Sequence, residues 1–118
     1  MNNQVKVASG LNILAGIWLI LSPFILGYSY ITGALWNDII IGAAVLILAA
    51  VREWGKTEET TWASWVNLVL GIWLIIAPFV IGYSAESTPL WNDVVLGILV
   101  AALAGWSGSA APVVRRGV

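Results

Sequence analysis

The chain has 118 residues, of which 60% are hydrophobic and 9% are charged, and its formal net charge is −1. A soluble domain carries about 25% charged residues and cannot hide so much apolar surface, so this composition excludes an ordinary soluble domain and predicts a membrane protein. With so little net charge, nucleic acid is not an expected partner.

Long uncharged stretches predict four membrane-spanning helices. No charged residue lies between Lys6 and Asp38 or between Glu59 and Glu86. About 20 apolar helical residues cross a hydrocarbon core that is ~30 Å thick. The predicted helices cover residues 5–27, 34–54, 60–82 and 89–107. The connections after the first and third helices are very short, and Tyr28 and Tyr83 there are interpreted as turn residues at the membrane interface.

The second half of the chain repeats the first half at a constant offset of 55 residues. The string Leu35-Trp36-Asn37-Asp38, for example, returns as Leu90-Trp91-Asn92-Asp93. We therefore predict an all-α fold, a four-transmembrane-helix bundle made of two helical hairpins that are parallel repeats. The chain is a single membrane domain, residues 1–118, with repeat one at 5–54 and repeat two at 60–107.

The few basic residues predict the orientation of the bundle. Lys6, Arg52, Lys56, Arg115 and Arg116 all lie at the chain ends or beside the middle loop, and neither outer loop contains Lys or Arg. Because cytoplasmic loops are enriched in Lys and Arg, both termini and the middle loop are expected in the cytoplasm.

Small and polar residues recur on one face of each predicted helix. Because each residue turns an α-helix by 100°, these residues fall on a single face. We expect these faces to point inward, where small side chains allow the helices to approach closely. The predicted packing residues are Asn12, Gly16, Pro23, Gly27, Gly42, Asn67, Gly71, Pro78, Gly82 and Gly97. Asn12 and Asn67 form interhelical hydrogen bonds or, in the alternative, part of a substrate site. Pro23 and Pro78 are either static kinks or hinges with an exposed carbonyl.

Asp38 and Asp93 are the candidate functional carboxylates, because charge within a membrane span is costly and is often functional. As a pair they are suited to relaying protons or binding a cation. The alternative is structural, since both lie near the start of a helix, where the cost is lower and the helix dipole favours an anion.

Trp18 and Trp73 lie opposite the glycine and proline face and near the middle of their helices. They are expected to face lipid or a partner chain, and they are the candidate contacts for a partner subunit.

The chain offers no set of catalytic side chains. No serine has a histidine to activate it, and cysteine and histidine are absent, which removes the usual ligands of zinc, copper and haem. We therefore expect no catalysis, no metal site and no cofactor. Acid–base chemistry at the carboxylates would need a pocket created by oligomerisation.

The duplicated pattern resembles the SPW-repeat family of small bacterial and archaeal membrane proteins. Members carry Ser-Pro-Trp in the first helix of each two-helix repeat, and the same positions here read Ser22-Pro23-Phe24 and Ala77-Pro78-Phe79. The Gly-Ile-Trp-Leu-Ile and Leu-Trp-Asn-Asp strings are similar to the family as well. The resemblance covers about residues 8–107 and implies a multi-pass protein of the prokaryotic cytoplasmic membrane. It brings no activity or catalytic residue with it.

Two functions remain open. The first is a structural or interaction protein within the bilayer, which contacts lipid and associates with itself or serves as an accessory subunit of a larger membrane complex. The alternative is a small transporter or channel that acts as an oligomer, with Asp38 and Asp93 in an ion or proton path.

Overall fold

The computed structural model describes residues 3–56 and 59–116, with side chains described up to Ser109, and arranges them as four long helices. A π-helical turn at Pro78–Gly82 extends the third helix. Within the described part there is no strand, and each of the four helices is long and apolar enough to cross a bilayer. The prediction of an all-α four-helix bundle is confirmed. The helices are α1 (Asn3–Ile25), α2 (Thr32–Trp54), α3 (Thr61–Ala77) and α4 (Ser87–Arg116).

Each helix packs most extensively on its neighbour in the chain, α1 on α2 and α3 on α4. In addition, α1 packs on α4 and α2 packs on α3, so that each helix has two neighbours around the bundle. Across the diagonal, α2 also touches α4. Both short connections, at Tyr28 and Tyr83, lie together at one end of the bundle, here called the turn end. The opposite end, here called the loop end, holds the start of α1 and the connection around Gly55 and Thr60.

Two pairs of glycines allow the backbones to touch. A Cβ placed on Gly16 would lie 2.8 Å from the carbonyl oxygen of Gly42, and a Cβ on Gly71 would lie 2.8 Å from that of Gly97. Real Cβ atoms do not approach backbone so closely, so a side chain at either position would push the helices apart. These glycine contacts lie between α1 and α2 and between α3 and α4, the two helix pairs that pack most extensively.

Gly27 and Gly82 end helices instead of packing against a neighbouring helix. Their position on the helix face predicts packing, and the structure corrects this prediction. A Cβ on either glycine would meet nothing within 4 Å, but their φ angles are +82° and +103°. Only glycine adopts this region without strain, and it commonly ends a helix in this way. The next residue closes the cap, since the N–H groups of Tyr28 and Tyr83 donate to the carbonyls of Pro23 and Pro78, 2.9 Å away in each case.

An apolar layer fills the middle of the bundle. Leu19, Val45, Leu74 and Val100 are each 0% exposed and belong to one cluster, with one residue contributed by each helix. This layer separates the polar groups at the turn end from those at the loop end. The outward surface is covered by large exposed apolar side chains, as expected for contact with lipid.

Candidate functional site

Asp38 on α2 and Asp93 on α4 are the most deeply buried acids of the described residues. Both are 0% exposed, and they lie at the turn end where α2 and α4 meet across the diagonal. The sequence places them near a helix start, but their carboxyl groups point into the bundle. Each carboxyl lies within hydrogen-bonding reach of the other.

Two buried tyrosines bind these carboxyls. The hydroxyl of Tyr28 donates to Oδ2 of Asp38, and the hydroxyl of Tyr83 donates to Oδ2 of Asp93. Burial, and then the hydrogen bond to the carboxyl, raises the pKa of both tyrosines well above the ordinary value. The phenols therefore stay protonated and act as donors. Both tyrosines lie in the turns, as the sequence predicts, but their side chains are buried in the bundle instead of lying at the membrane interface.

An asparagine from the opposite half of the chain extends each tyrosine–aspartate pair. Nδ2 of Asn92 donates to the hydroxyl of Tyr28 at 2.9 Å, and Nδ2 of Asn37 donates to the hydroxyl of Tyr83 at 3.0 Å. Each asparagine side chain thus connects one half of the molecule to the other.

The mid-helix tryptophans complete the two chains of hydrogen bonds. Nε1 of Trp18 donates to Oδ1 of Asn92 at 2.9 Å, and Nε1 of Trp73 donates to Oδ1 of Asn37 at 2.8 Å. Both rings are half-buried, so they face lipid over only part of their surface. Whether they also contact a partner subunit stays a prediction. The result is two crossed chains, Trp18–Asn92–Tyr28–Asp38 and Trp73–Asn37–Tyr83–Asp93.

One oxygen of each aspartate remains without a donor. Oδ1 of Asp38 and Oδ1 of Asp93 are buried and accept no hydrogen bond within the described part of the chain. The described cations Lys6, Arg52 and Lys56 all lie toward the loop end of the molecule. Among the described side chains, the carboxyl pair therefore has four neutral donors around it, in the two tyrosines and two asparagines, and no basic group.

A second polar cluster occupies the loop end around Arg52. This guanidinium is 1% exposed and donates to the hydroxyl of Ser107 at 2.9 Å, to the carbonyl of Ser107 at 2.7 Å and to the hydroxyl of Thr60 at 3.1 Å. Arg52, which the sequence places beside the middle loop, thus lies inside the bundle. Arg115 and Arg116 close α4, beyond the described side chains.

Asn12 and Asn67 lie just inside this cluster. Nδ2 of Asn12 donates to the carbonyl of Val100 at 3.4 Å, and Nδ2 of Asn67 donates to the carbonyl of Val45 at 3.3 Å. Each amide again joins one half of the chain to the other. A cavity of about 10 Å³ lies beside them, which is roughly the room that one water needs. Its lining consists of Ser9, Asn12, Ala49, Arg52, Ser64, Asn67 and Ser107.

Among the side chains of residues 3–56 and 59–109, no group of three or more acidic, histidine or cysteine residues is placed to hold a metal ion.

The family model of the SPW repeat domain, a sequence profile, matches residues 6–107 of the chain. The chain belongs to the SPW repeat family. The resemblance in the Gly-Ile-Trp-Leu-Ile and Leu-Trp-Asn-Asp strings is thereby confirmed, and with four apolar helices this SPW repeat protein is a small multi-pass membrane protein in contact with lipid. No curated protein and no solved structure matches it.

Both copies of the SPW motif bury their first two residues and expose the third. Ser22 and Pro23 are buried, and the hydroxyl of Ser22 donates to the carbonyl of Trp18 at 2.5 Å. Phe24 and Phe79, which stand where the family motif has tryptophan, are 60% and 62% exposed. The aromatic ring of the motif therefore faces outward, whereas the rings that enter the hydrogen-bonded chains come from Trp18 and Trp73.

Proposed function

We propose that this SPW repeat protein is a structural or interaction protein of the prokaryotic cytoplasmic membrane, with both termini in the cytoplasm. It acts by lateral association, as a homo-oligomer or as an accessory subunit of a larger membrane complex, and without catalysis. The observation that carries this proposal is the fully buried apolar cluster of Leu19, Val45, Leu74 and Val100 in the middle of the bundle. A layer in which every side chain is fully buried favours a rigid body over a conduit.

The outer surface supports lateral association. A groove of about 320 Å³ opens along α1 and α4, and its lining is almost entirely apolar. Trp18 forms part of it, together with Leu14 and Leu99. Since most polar side chains of the spans are engaged inside the bundle, this apolar exterior is the part of the molecule that meets other proteins in the bilayer.

Sizing in mild detergent, by native mass spectrometry, tests the proposal. A particle larger than one chain of 12.6 kDa, containing several copies or a second protein, is expected. A lone monomer that brings no other protein with it would contradict the proposal.

Paired substitutions identify the contact surface. Trp18→Ala with Trp73→Ala removes both rings and should release the partner. Trp18→Phe with Trp73→Phe removes only the hydrogen bonds to Asn92 and Asn37 and should keep the partner bound. Equal release by both pairs would show that the rings act only through the internal network.

The buried Asp38–Asp93 pair favours a second candidate, a transporter or channel with these carboxylates in an ion or proton path. Because fully buried apolar side chains fill the middle of the single bundle, such a path would run between chains of an oligomer. Flux into proteoliposomes that disappears in Asp38→Asn and Asp93→Asn, at unchanged expression, would support this candidate. Absence of flux in the unmodified protein would exclude it.

A further inference from the structure

We propose that Asp38 and Asp93 together bind one proton, which bridges the two carboxyl groups across the axis of the bundle. The proposal concerns the ligand of this site and does not depend on the function proposed above. It rests on three observations of geometry: the two carboxyls face each other, both are fully buried, and each has one oxygen without a donor.

Among the side chains of residues 3–56 and 59–109, the surroundings of the pair supply no other means of stabilising two negative charges. The elements packed around the pair contribute Tyr28 and Tyr83 from the turns and Asn37 and Asn92 from α2 and α4. All four are neutral donors. The nearest cation on the same helix is Arg52, about 21 Å further along α2 at 1.5 Å per residue. Two carboxylates in contact and out of water cannot both ionise under these conditions.

A single proton satisfies the remaining hydrogen-bonding capacity. A carboxyl that keeps its proton becomes a donor, and the facing carboxylate is the acceptor that lies within reach. Two protons would leave the tyrosines without an ionised acceptor, and the absence of a proton would leave two repelling charges. The pair therefore carries one negative charge, spread over both halves of the molecule and held by both tyrosine hydroxyls.

The bound proton links folding to pH in a defined direction. An unfolded aspartate loses its proton near pH 4, whereas the folded pair keeps one. The folded state then binds one proton more than the unfolded state, so stability is greatest in acid and falls as pH rises. Above about pH 4 the folding equilibrium constant of the unmodified protein should fall about tenfold per pH unit relative to a variant without the shared proton.

Infrared spectroscopy of the purified protein tests the proposal directly. At neutral pH the unmodified protein should show the carbonyl stretch of one protonated carboxyl group, and Glu86→Gln, which changes an exposed acid at the same end, should keep it. Asp38→Asn or Asp93→Asn should remove the band, because the introduced amide donates to the remaining carboxylate. No such band in the unmodified protein, or a band that survives in the doubly substituted protein, would overturn the proposal.

Two further measurements distinguish a shared proton from two independent carboxyl groups and from a bound cation. Unfolding followed between pH 5 and pH 9 should depend on pH more steeply in the unmodified protein and in Glu86→Gln than in Asp38→Asn, and equal slopes would count against a shared proton. Sodium chloride in place of choline chloride should leave the infrared band unchanged. Loss of the band with sodium would assign the site to a monovalent cation instead.

Discussion

At the scale of single residues, the interior is organised by polar side chains that reach across the two halves. Tyr28 illustrates this, since its hydroxyl accepts from Asn92 and donates to Asp38. Removal of this one oxygen takes the acceptor from Nδ2 of Asn92 and the donor from Oδ2 of Asp38. Unmade buried hydrogen bonds cost more than a made bond contributes.

Tyr28→Phe should therefore lower the free energy of unfolding by about 1–3 kcal/mol. Tyr30→Phe is the matched control, because Tyr30 lies two residues away and is 76% exposed. It should change stability by less than about 0.5 kcal/mol. Denaturant titration of both variants in the same detergent gives the comparison, and equal losses would mean that the Tyr28 hydroxyl has no special role.

Arg52 connects neighbouring parts of the chain at the loop end, as Tyr28 does at the turn end. Its guanidinium holds Ser107 on α4 and Thr60 before α3, so one side chain connects three elements. Arg52→Ala should cost about 1.5–3 kcal/mol, as expected for hydrogen bonds made by a charged group. Lys56→Ala removes an exposed cation from the same end and should cost close to nothing. The two variants are compared by the same titration.

At the scale of elements, glycine decides how closely helices approach. A Cβ at Gly16 would meet the carbonyl of Gly42 and the amide nitrogen of Leu46, both at 2.8 Å and both backbone atoms that cannot turn aside. At an uncrowded position in a helix, replacing glycine by alanine raises stability instead, because alanine forms helix more readily than glycine.

Gly16→Ala should destabilise the bundle by about 1–3 kcal/mol, as overpacking does. Gly105→Ala on α4 is the control, since nothing lies within 4 Å of its Cβ position. It should raise stability by up to about 1 kcal/mol. Unfolding curves that shift in the same direction for both variants would show that close packing at Gly16 is not what holds α1 against α2.

The helices themselves were largely predictable, and the contacts between them were not. A long stretch without charged residues identifies a membrane-spanning helix directly. The predicted start of α2 at residue 34 therefore differs from the observed Thr32 by only two residues. Helical periodicity likewise places Asp38 on the inner face. It does not say which helix that face meets, so the donation from Asn92 to Tyr28 could not be derived. The inward direction of Tyr28 depends on the positive φ of Gly27, for which the only sequence signal is a Gly-Tyr pair after an apolar helix.

At the scale of the whole molecule, both short turns lie at one end, and this arrangement makes orientation testable. The chain has no cysteine, so single cysteines can be introduced without background. Ser29 and Lys56 are exposed and lie at opposite ends.

If both termini are cytoplasmic, a membrane-impermeant thiol reagent should label Ser29→Cys in intact cells. Lys56→Cys should react only after the cells are opened. The reverse pattern would show that the basic residues do not determine the orientation of this protein.

The contact between Arg52 and Ser107 has a consequence for the origin of the two copies, because these residues occupy equivalent positions, 55 residues apart. Were the molecule assembled from two identical subunits, the same side chain would stand on each side of this contact, and two guanidinium groups would repel each other. Fusion into one polypeptide removes that restriction and lets one copy keep the cation while the other supplies its acceptor. Separately expressed halves should consequently pair with each other in preference to pairing with themselves.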